Sequence, residues 1–303
     1  MDNIILILLC LLAGIILKQI KAVPPNAHLA LNQFVIYISL PGLALYYIPK
    51  IELGTSLLYP LGIAWLGFIL SWILFAALGR YLGWSRRLTG CLILTAGLGN
   101  TSFVGFPVIQ ALYGTEGLKT AIMADQPGTF VVLSTLGILV AALYSKGVAG
   151  PSQIAKKILF FPPFVAFTIG MFLNFGQLDF PLVLQSAFSK LAVTITPVAL
   201  IAVGLQLQVD RRSRHWNFMI MGLTYKLMLM PAFFYILYRI IMGEDNLAID
   251  VSIMEAAMAP MITGAILASS NGLKPRLAGM MVGVGIPLSF ATLAFWYWIV
   301  TFL

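Results

Sequence analysis

At 303 residues the chain is long enough for two soluble domains, yet 60% of its side chains are hydrophobic and only 9% are charged, against about 25% charged in soluble domains. So few charges cannot cover a water-facing surface of this size, which points to an all-α integral membrane protein with the lipid bilayer as its first partner. The net charge of +8 does not indicate nucleic-acid binding, because Lys and Arg are scattered in twos and threes instead of forming one basic patch.

A helix needs about 20 apolar residues to cross the hydrocarbon core, and breaks fall where charges, prolines and glycines cluster. On that rule ten spans are predicted: 3–20, 29–49, 57–78, 88–113, 119–144, 158–175, 181–207, 215–241, 247–270 and 275–301. The first follows Asp2 with no basic leader and no A-x-A site after it, so it reads as a transmembrane helix and not as a signal peptide. Span two carries SLPGLAL around Pro41, and span seven carries TITPVAL around Pro197. Span four contains GLGNTSFVGFP, from Gly97 to Pro107, where seven of eleven residues are Gly, Pro, Asn, Thr or Ser. Span nine has a counterpart from Glu255 to Gly264, around Pro260. Span ten ends in Phe295, Trp296, Tyr297 and Trp298, read as an interfacial aromatic belt. Cys10 and Cys91 lie in apolar runs, and His28 and His215 have no partner at ligand spacing, so neither a disulfide framework nor a metal site is expected.

Thirteen Lys and Arg fall in the odd-numbered connections: Lys18, Lys21, Arg80, Arg86, Arg87, Lys146, Lys156, Lys157, Arg211, Arg212, Arg214, Lys274 and Arg276. Only Lys50, Lys119, Lys190 and Arg239 fall on the other side. The positive-inside rule then makes the odd connections cytoplasmic and puts both termini outside. Gly14 and Gly170 are 156 residues apart, Pro41 and Pro197 are also 156 apart, and Pro107 and Pro260 are 153 apart, each pair at matching spans. Three such offsets in order argue for two five-helix repeats, residues 1–145 and 158–303, joined by a cytoplasmic connection at 146–157. Five is odd, so the second repeat is inverted, an arrangement typical of transporters.

Irregular backbone at mid-membrane depth survives only when buried in protein or lining a wet cavity. Spans four and nine are therefore expected to be broken helices whose restarts, near Pro107 and near Pro260, leave N–H groups unpaired. Each helix start carries roughly half a positive charge and suits an anion, while the opposing carbonyl ends suit a cation. Asp125, in the sequence ADQPG about six residues (roughly 9 Å) into span five, is costly to ionise there without a partner. Glu255 precedes the second break, and Lys226 lies near the middle of span eight, where it is expected to pair with Asp125 or Glu255 or to attract substrate. His-Glu-x-x-His, G-x-G-D and G-x-S-G motifs are absent, so an enzyme with catalytic residues, metal ligands or a cofactor is not expected.

The stretches GLGNTSFVGFPVIQALYG, SLPGLALYYI, YKLMLMP and APMITGAILASSNGL resemble the auxin efflux carrier family, which includes plant PIN auxin exporters and bacterial permeases associated with malate and malonate. The resemblance covers nearly the whole chain. It implies the fold of bile-acid/sodium symporters, with helices four and nine broken and crossing at the centre. It further implies a scaffold from spans 1, 2, 6 and 7, a transport domain from spans 3–5 and 8–10, and homodimers through the scaffold. Asn100 and Pro107 match the first crossing motif, and Pro260 with Thr263 matches the second. Where plant carriers have an asparagine beside the second crossing proline, this chain has Ala259 and Met261. Sodium-coupled relatives of the fold imply that Glu255, Asn100, Thr101, Asp125 and Gln126 form an ion-coupling site, with H+ or Na+ left open. The expectation is a secondary carrier of a small organic anion, a carboxylate, in a bacterial cytoplasmic membrane. The alternative is a non-transporting sensor or passive channel on the same fold.

Overall fold

A computed structural model describes residues 2–51, 54, 58–145, 159–206 and 215–302. The expected connection at 146–157, and with it Lys146, Lys156 and Lys157, lies outside the described residues, as do Glu52, Arg211, Arg212 and Arg214. Among the described residues the protein is all-helical, and its one β-type pairing is an isolated antiparallel bridge between Gly99 and Pro260.

The helices in chain order are α1 (Asp2–Leu17), α2 (Ala27–Lys50), α3 (Leu58–Tyr81) and α4 (Arg86–Gly97). A 44-residue helical stretch, Thr101–Tyr144, follows. It is not one rod, because Gly114 sits at φ 66°, ψ −157°, a left-handed conformation that costs glycine little and other residues much. The chain doubles back there, since Thr101 hydrogen-bonds to Asp125, 24 residues away, a separation that a straight helix would stretch to about 36 Å. Residues 101–113 form α5 and residues 115–144 form α6. The second part comprises α7 (Pro162–Phe175), α8 (Leu182–Leu205), α9 (Trp216–Ile241), α10 (Leu247–Ala256), α11 (Ile262–Ser270) and α12 (Pro275–Phe302). By length and composition, α2, α3, the α5–α6 stretch, α8, α9 and α12 are each apolar enough to cross a membrane. This is an integral membrane protein.

Two groups of helices can be distinguished, and they meet where α8 packs on α5 and α7 on α6. Helix α1 lies along α8, and α2 packs on both α7 and α8. Helix α3 packs on α4, α6 and α10, α5 on α10, and α12 on α4, α9 and α11. Small residues permit the closest approaches: a β-carbon on Gly14 of α1 would lie 2.9 Å from the Gly204 Cα of α8. Likewise, a β-carbon on Gly170 of α7 would lie 2.9 Å from the Ile48 Cβ of α2. Without a hydrophobic drive between helices in lipid, such close van der Waals packing and interhelical hydrogen bonds hold the bundle. Ser39 of α2 and Thr194 of α8 supply one of the latter, with hydroxyl oxygens 2.7 Å apart.

The aromatic run at the end of α12 divides. Phe295 and Trp298 are exposed, as an interfacial belt requires, but Trp296 is only 4% exposed and its indole N–H donates to the Leu227 carbonyl of α9 at 2.8 Å. Buried indoles need a partner for the N–H, and a backbone carbonyl of α9 supplies it.

Candidate functional site

Both expected breaks are present. Helix α4 ends at Gly97 and α5 resumes at Thr101; α10 ends at Ala256 and α11 resumes at Ile262. The two unwound stretches solve each other's backbone accounting. The Asn100 N–H donates to the Ala259 carbonyl at 2.7 Å, and the Met261 N–H donates to the Leu98 carbonyl at 3.0 Å. A short two-strand pairing thus satisfies groups that lipid cannot.

The first restart lies earlier than the sequence suggests. Asn100 caps α5, its side-chain oxygen accepting from the Phe103 N–H at 3.2 Å, as N-cap asparagines do. Pro107, expected at the restart, instead sits more than one turn inside α5. A wide turn at Thr101–Gly105, in which the Gly105 N–H reaches back to the Asn100 carbonyl at 3.0 Å, accommodates the ring and its missing donor. The second restart has no side-chain cap, because Met261 stands at that position, so the N–H groups of the first turn of α11 lack intrahelical partners.

Around the paired stretches the structure gathers Asn100, Thr101, Asp125, Gln126, Lys226 and Glu255, each at most 2% exposed. The Thr101 hydroxyl donates to Asp125 Oδ1 at 2.6 Å, and Gln126 Nε2 donates to Asp125 Oδ2 at 2.9 Å. Asp125 lies eleven residues beyond Gly114, about 16 Å along the axis, nearly twice the expected depth. The reason is that Thr115 and Glu116, read as a connection, belong to the first turn of α6, where Lys119 pairs with Glu116 at 2.8 Å. Glu255 is likewise interior, in the last turn of α10. Its carboxyl presses on the backbone of α5: a β-carbon on Gly105 would lie 2.6 Å from Glu255 Oε2.

Lys226 makes no ion pair within 4.0 Å with Asp125 or Glu255. Its ammonium instead donates to the Ala256 carbonyl at 3.0 Å, with Met230 Sδ at 3.4 Å. The reason is positional, since the carbonyl end of α10 concentrates negative partial charge and lies within reach of the side chain. Ile63, Ala64, Gly97, Gly99, Thr129, Lys226 and Glu255 line a small cavity of about 10 Å³, roughly the room one water needs.

Four polar atoms at the cluster are buried with no hydrogen-bond partner: Asn100 Nδ2, Gln126 Oε1, and both carboxyl oxygens of Glu255. Buried polar groups are almost always paired, so one orphan donor and three orphan acceptors in one place single out this cluster as the candidate site. Thr263 is not in the cluster. It lines a larger cavity of about 400 Å³ with Tyr37, Phe130, Ser134, Phe161 and Leu267, between α2 and α7 on one side and α6 and α11 on the other. That Tyr37, Ser134 and Phe161 share this cavity is not legible in the sequence, because span residues carry no mark of which face meets a neighbour.

The chain has relatives of matching length. It is 28% identical over 301 residues to an uncharacterized transporter of the archaeon Methanothermobacter thermautotrophicus, covering 97% of this chain and 96% of that protein. It is 26% identical over 306 residues to an uncharacterized transporter of Methanocaldococcus jannaschii, covering 99% and 98% of the two. The family described as membrane transport protein matches residues 1–297. Apolar helices, two helix breaks paired at their centres and a family match over almost the whole length agree: the chain belongs to the membrane transport protein family.

Proposed function

We propose that the protein is a secondary carrier that moves a small organic anion, a carboxylate, by alternating access. One observation carries the reading: the unpartnered Asn100 amide donor stands at the start of α5, beside the uncapped start of α11 that the Leu98–Met261 hydrogen bond brings alongside. Two helix starts supply positive potential and Asn100 supplies a directed donor, the combination a carboxylate needs. Thr101, Pro260 and Pro107 shape this pocket, and Thr263, facing the 400 Å³ cavity, belongs to the route into it.

The reading takes α4 with α5, and α10 with α11, as single broken spans, which gives ten spans in two inverted repeats. The repeats are supported by the glycine contacts, since Gly14 of span one meets span seven as Gly170 of span six meets span two. Spans 1, 2, 6 and 7 then form the scaffold, whose outer face exposes Phe172, Leu182 and Val183 to lipid or to a second copy. The rest moves. Both termini lie outside the cytoplasmic membrane.

Coupling is assigned to protons. At a helix's carbonyl end a cation is favoured, and here the Lys226 ammonium already occupies that place on Ala256. Glu255, Asp125 and Gln126 then serve a proton and not a sodium ion. A sensor or passive channel on the same fold is the competing reading, and no feature of the site favours it.

A thermal-shift screen of purified protein tests the substrate class. Carboxylates such as malonate and malate should raise the melting temperature by mass action, and their uncharged amides should not. Equal stabilisation by acid and amide would remove the anion from the reading.

A further inference from the structure

Helix α9 has a defect in its hydrogen-bond ladder. Pro231 has no N–H, so the Leu227 carbonyl, four residues before it, loses its α-helical donor. Just ahead of the proline the backbone widens into a π turn over Tyr225–Leu229, in which the Met230 N–H bonds to the Tyr225 carbonyl. Lys226 lies in that wide turn. Leu227 is fully buried, so water cannot serve its carbonyl, and an unpaired buried carbonyl is expensive. A donor comes from another helix: Trp296 of α12, 4% exposed, donates its indole N–H to the Leu227 oxygen, with nitrogen and oxygen 2.8 Å apart.

The arrangement recurs on the other side of the site. Asp125–Phe130 of α6 is also a π turn, and the Val131 N–H, the α-helical donor for the Pro127 carbonyl, turns to the Gly128 carbonyl instead. Trp65 of α3 donates to the Pro127 carbonyl, with its indole nitrogen 3.2 Å away. Each wide turn therefore carries one charged residue of the site, Lys226 or Asp125, and each has a carbonyl held by a tryptophan from a neighbouring helix. Wide turns of this kind cluster at functional sites because they re-aim side chains.

We propose that Trp296 is a positioning residue for Lys226: its indole N–H replaces the backbone donor that Pro231 lacks, and so holds open the wide turn that aims the Lys226 ammonium at the end of α10. The proposal builds on the reading that Lys226 belongs to the transport site, but its test reads Lys226 directly and does not depend on transport.

The test compares the parent, Trp296→Phe, Pro231→Ala and the double variant, all full-length and purified in detergent. Trace acetylation with acetic anhydride, quantified by mass spectrometry against Lys119 in the same sample, reports how firmly Lys226 is held on Ala256. Trp296→Phe keeps the ring and removes the donor. Losing one buried hydrogen bond corresponds to about a fivefold change in the held population, so Lys226 labelling should rise about fivefold. An alanine at 231 restores the backbone N–H that bonds Leu227 in α-helical register, so the double variant should return to within about twofold of the parent. Packing lost with the indole is not restored by an alanine elsewhere, so rescue separates the two roles. If Trp296→Phe alone fails to fold, recovery of folding and parental labelling in the double variant supports the proposal. Unchanged labelling in Trp296→Phe, or a defect that Pro231→Ala does not repair, overturns it.

Discussion

Asn100 holds two jobs that a pair of substitutions can separate. Its oxygen caps α5 through the Phe103 N–H, and its nitrogen is the unpartnered donor assigned to the substrate. Asn100→Ala removes both. The lost cap should cost about 1 kcal/mol of stability, and the lost bond to a carboxylate about 1.5–3 kcal/mol of binding, which is roughly 10- to 150-fold in Kd. Asn100→Ser keeps an oxygen at the cap, where serine performs as well as asparagine, but lacks the NH2 group. Serine should therefore melt within about 0.5 kcal/mol of the parent while binding as weakly as alanine. The assay is isothermal titration in detergent with the carboxylate that gives the largest thermal shift, run beside its neutral amide. The amide should bind weakly to the parent and lose little further on either substitution, a non-additivity that reports direct contact. Parental affinity in Asn100→Ser, or additive losses with the amide, would refute the assignment and leave Lys226 as the next candidate to face the anion.

Further outcomes follow from the same geometry. Asp125→Asn keeps an acceptor for Thr101, and Gln126, whose oxygen is unpartnered, can rotate its amide to suit; it should abolish uphill uptake yet retain exchange of substrate for substrate, and full gradient-driven uptake would reduce Asp125 to packing. Glu255→Gln should make uptake insensitive to an imposed pH gradient, measured in proteoliposomes, and an unaltered pH response would remove Glu255 from coupling. Gly105→Ala puts a methyl 2.6 Å from Glu255 Oε2; overpacking of about 1–3 kcal/mol should follow, read as a lower melting temperature that Gly105→Ala/Glu255→Ala restores. A cysteine at Ser145 should be labelled only from the cytoplasm and one at Asn246 only from outside, and the opposite pattern in intact cells would invert the topology.

Much of this site is legible in the sequence because its physical demands are compositional. Gly, Asn, Thr and Pro at mid-span have no helical explanation, and acids and a lysine inside apolar runs have no lipid-facing one. Both breaks, and the burial of Asp125, Glu255 and Lys226, follow from that. What the sequence hides is set by partners distant along the chain. The restart of α5 at Thr101 and not at Pro107 depends on the backbone pairing of Leu98 and Asn100 with Ala259 and Met261. The early start of α6 depends on the positive φ of Gly114, which lets Glu116 and Lys119 join a helix that their charge suggests is a loop. Trp296 reads as a belt residue because its need for a carbonyl is met by Leu227, 69 residues away, and the one local sign is Pro231, which withholds the α-helical donor from that carbonyl.

The central claim, that this is a carrier and not a channel or a sensor, is tested most directly by counterflow. Proteoliposomes loaded with unlabelled carboxylate are diluted into a trace of the labelled compound with no ion gradient. A carrier that must rebind substrate to reorient accumulates label inside to well above its outside concentration, transiently, before decay to equality. A monotonic approach to equality would show a channel, and binding by thermal shift with no labelled uptake would show a sensor; either would contradict the account.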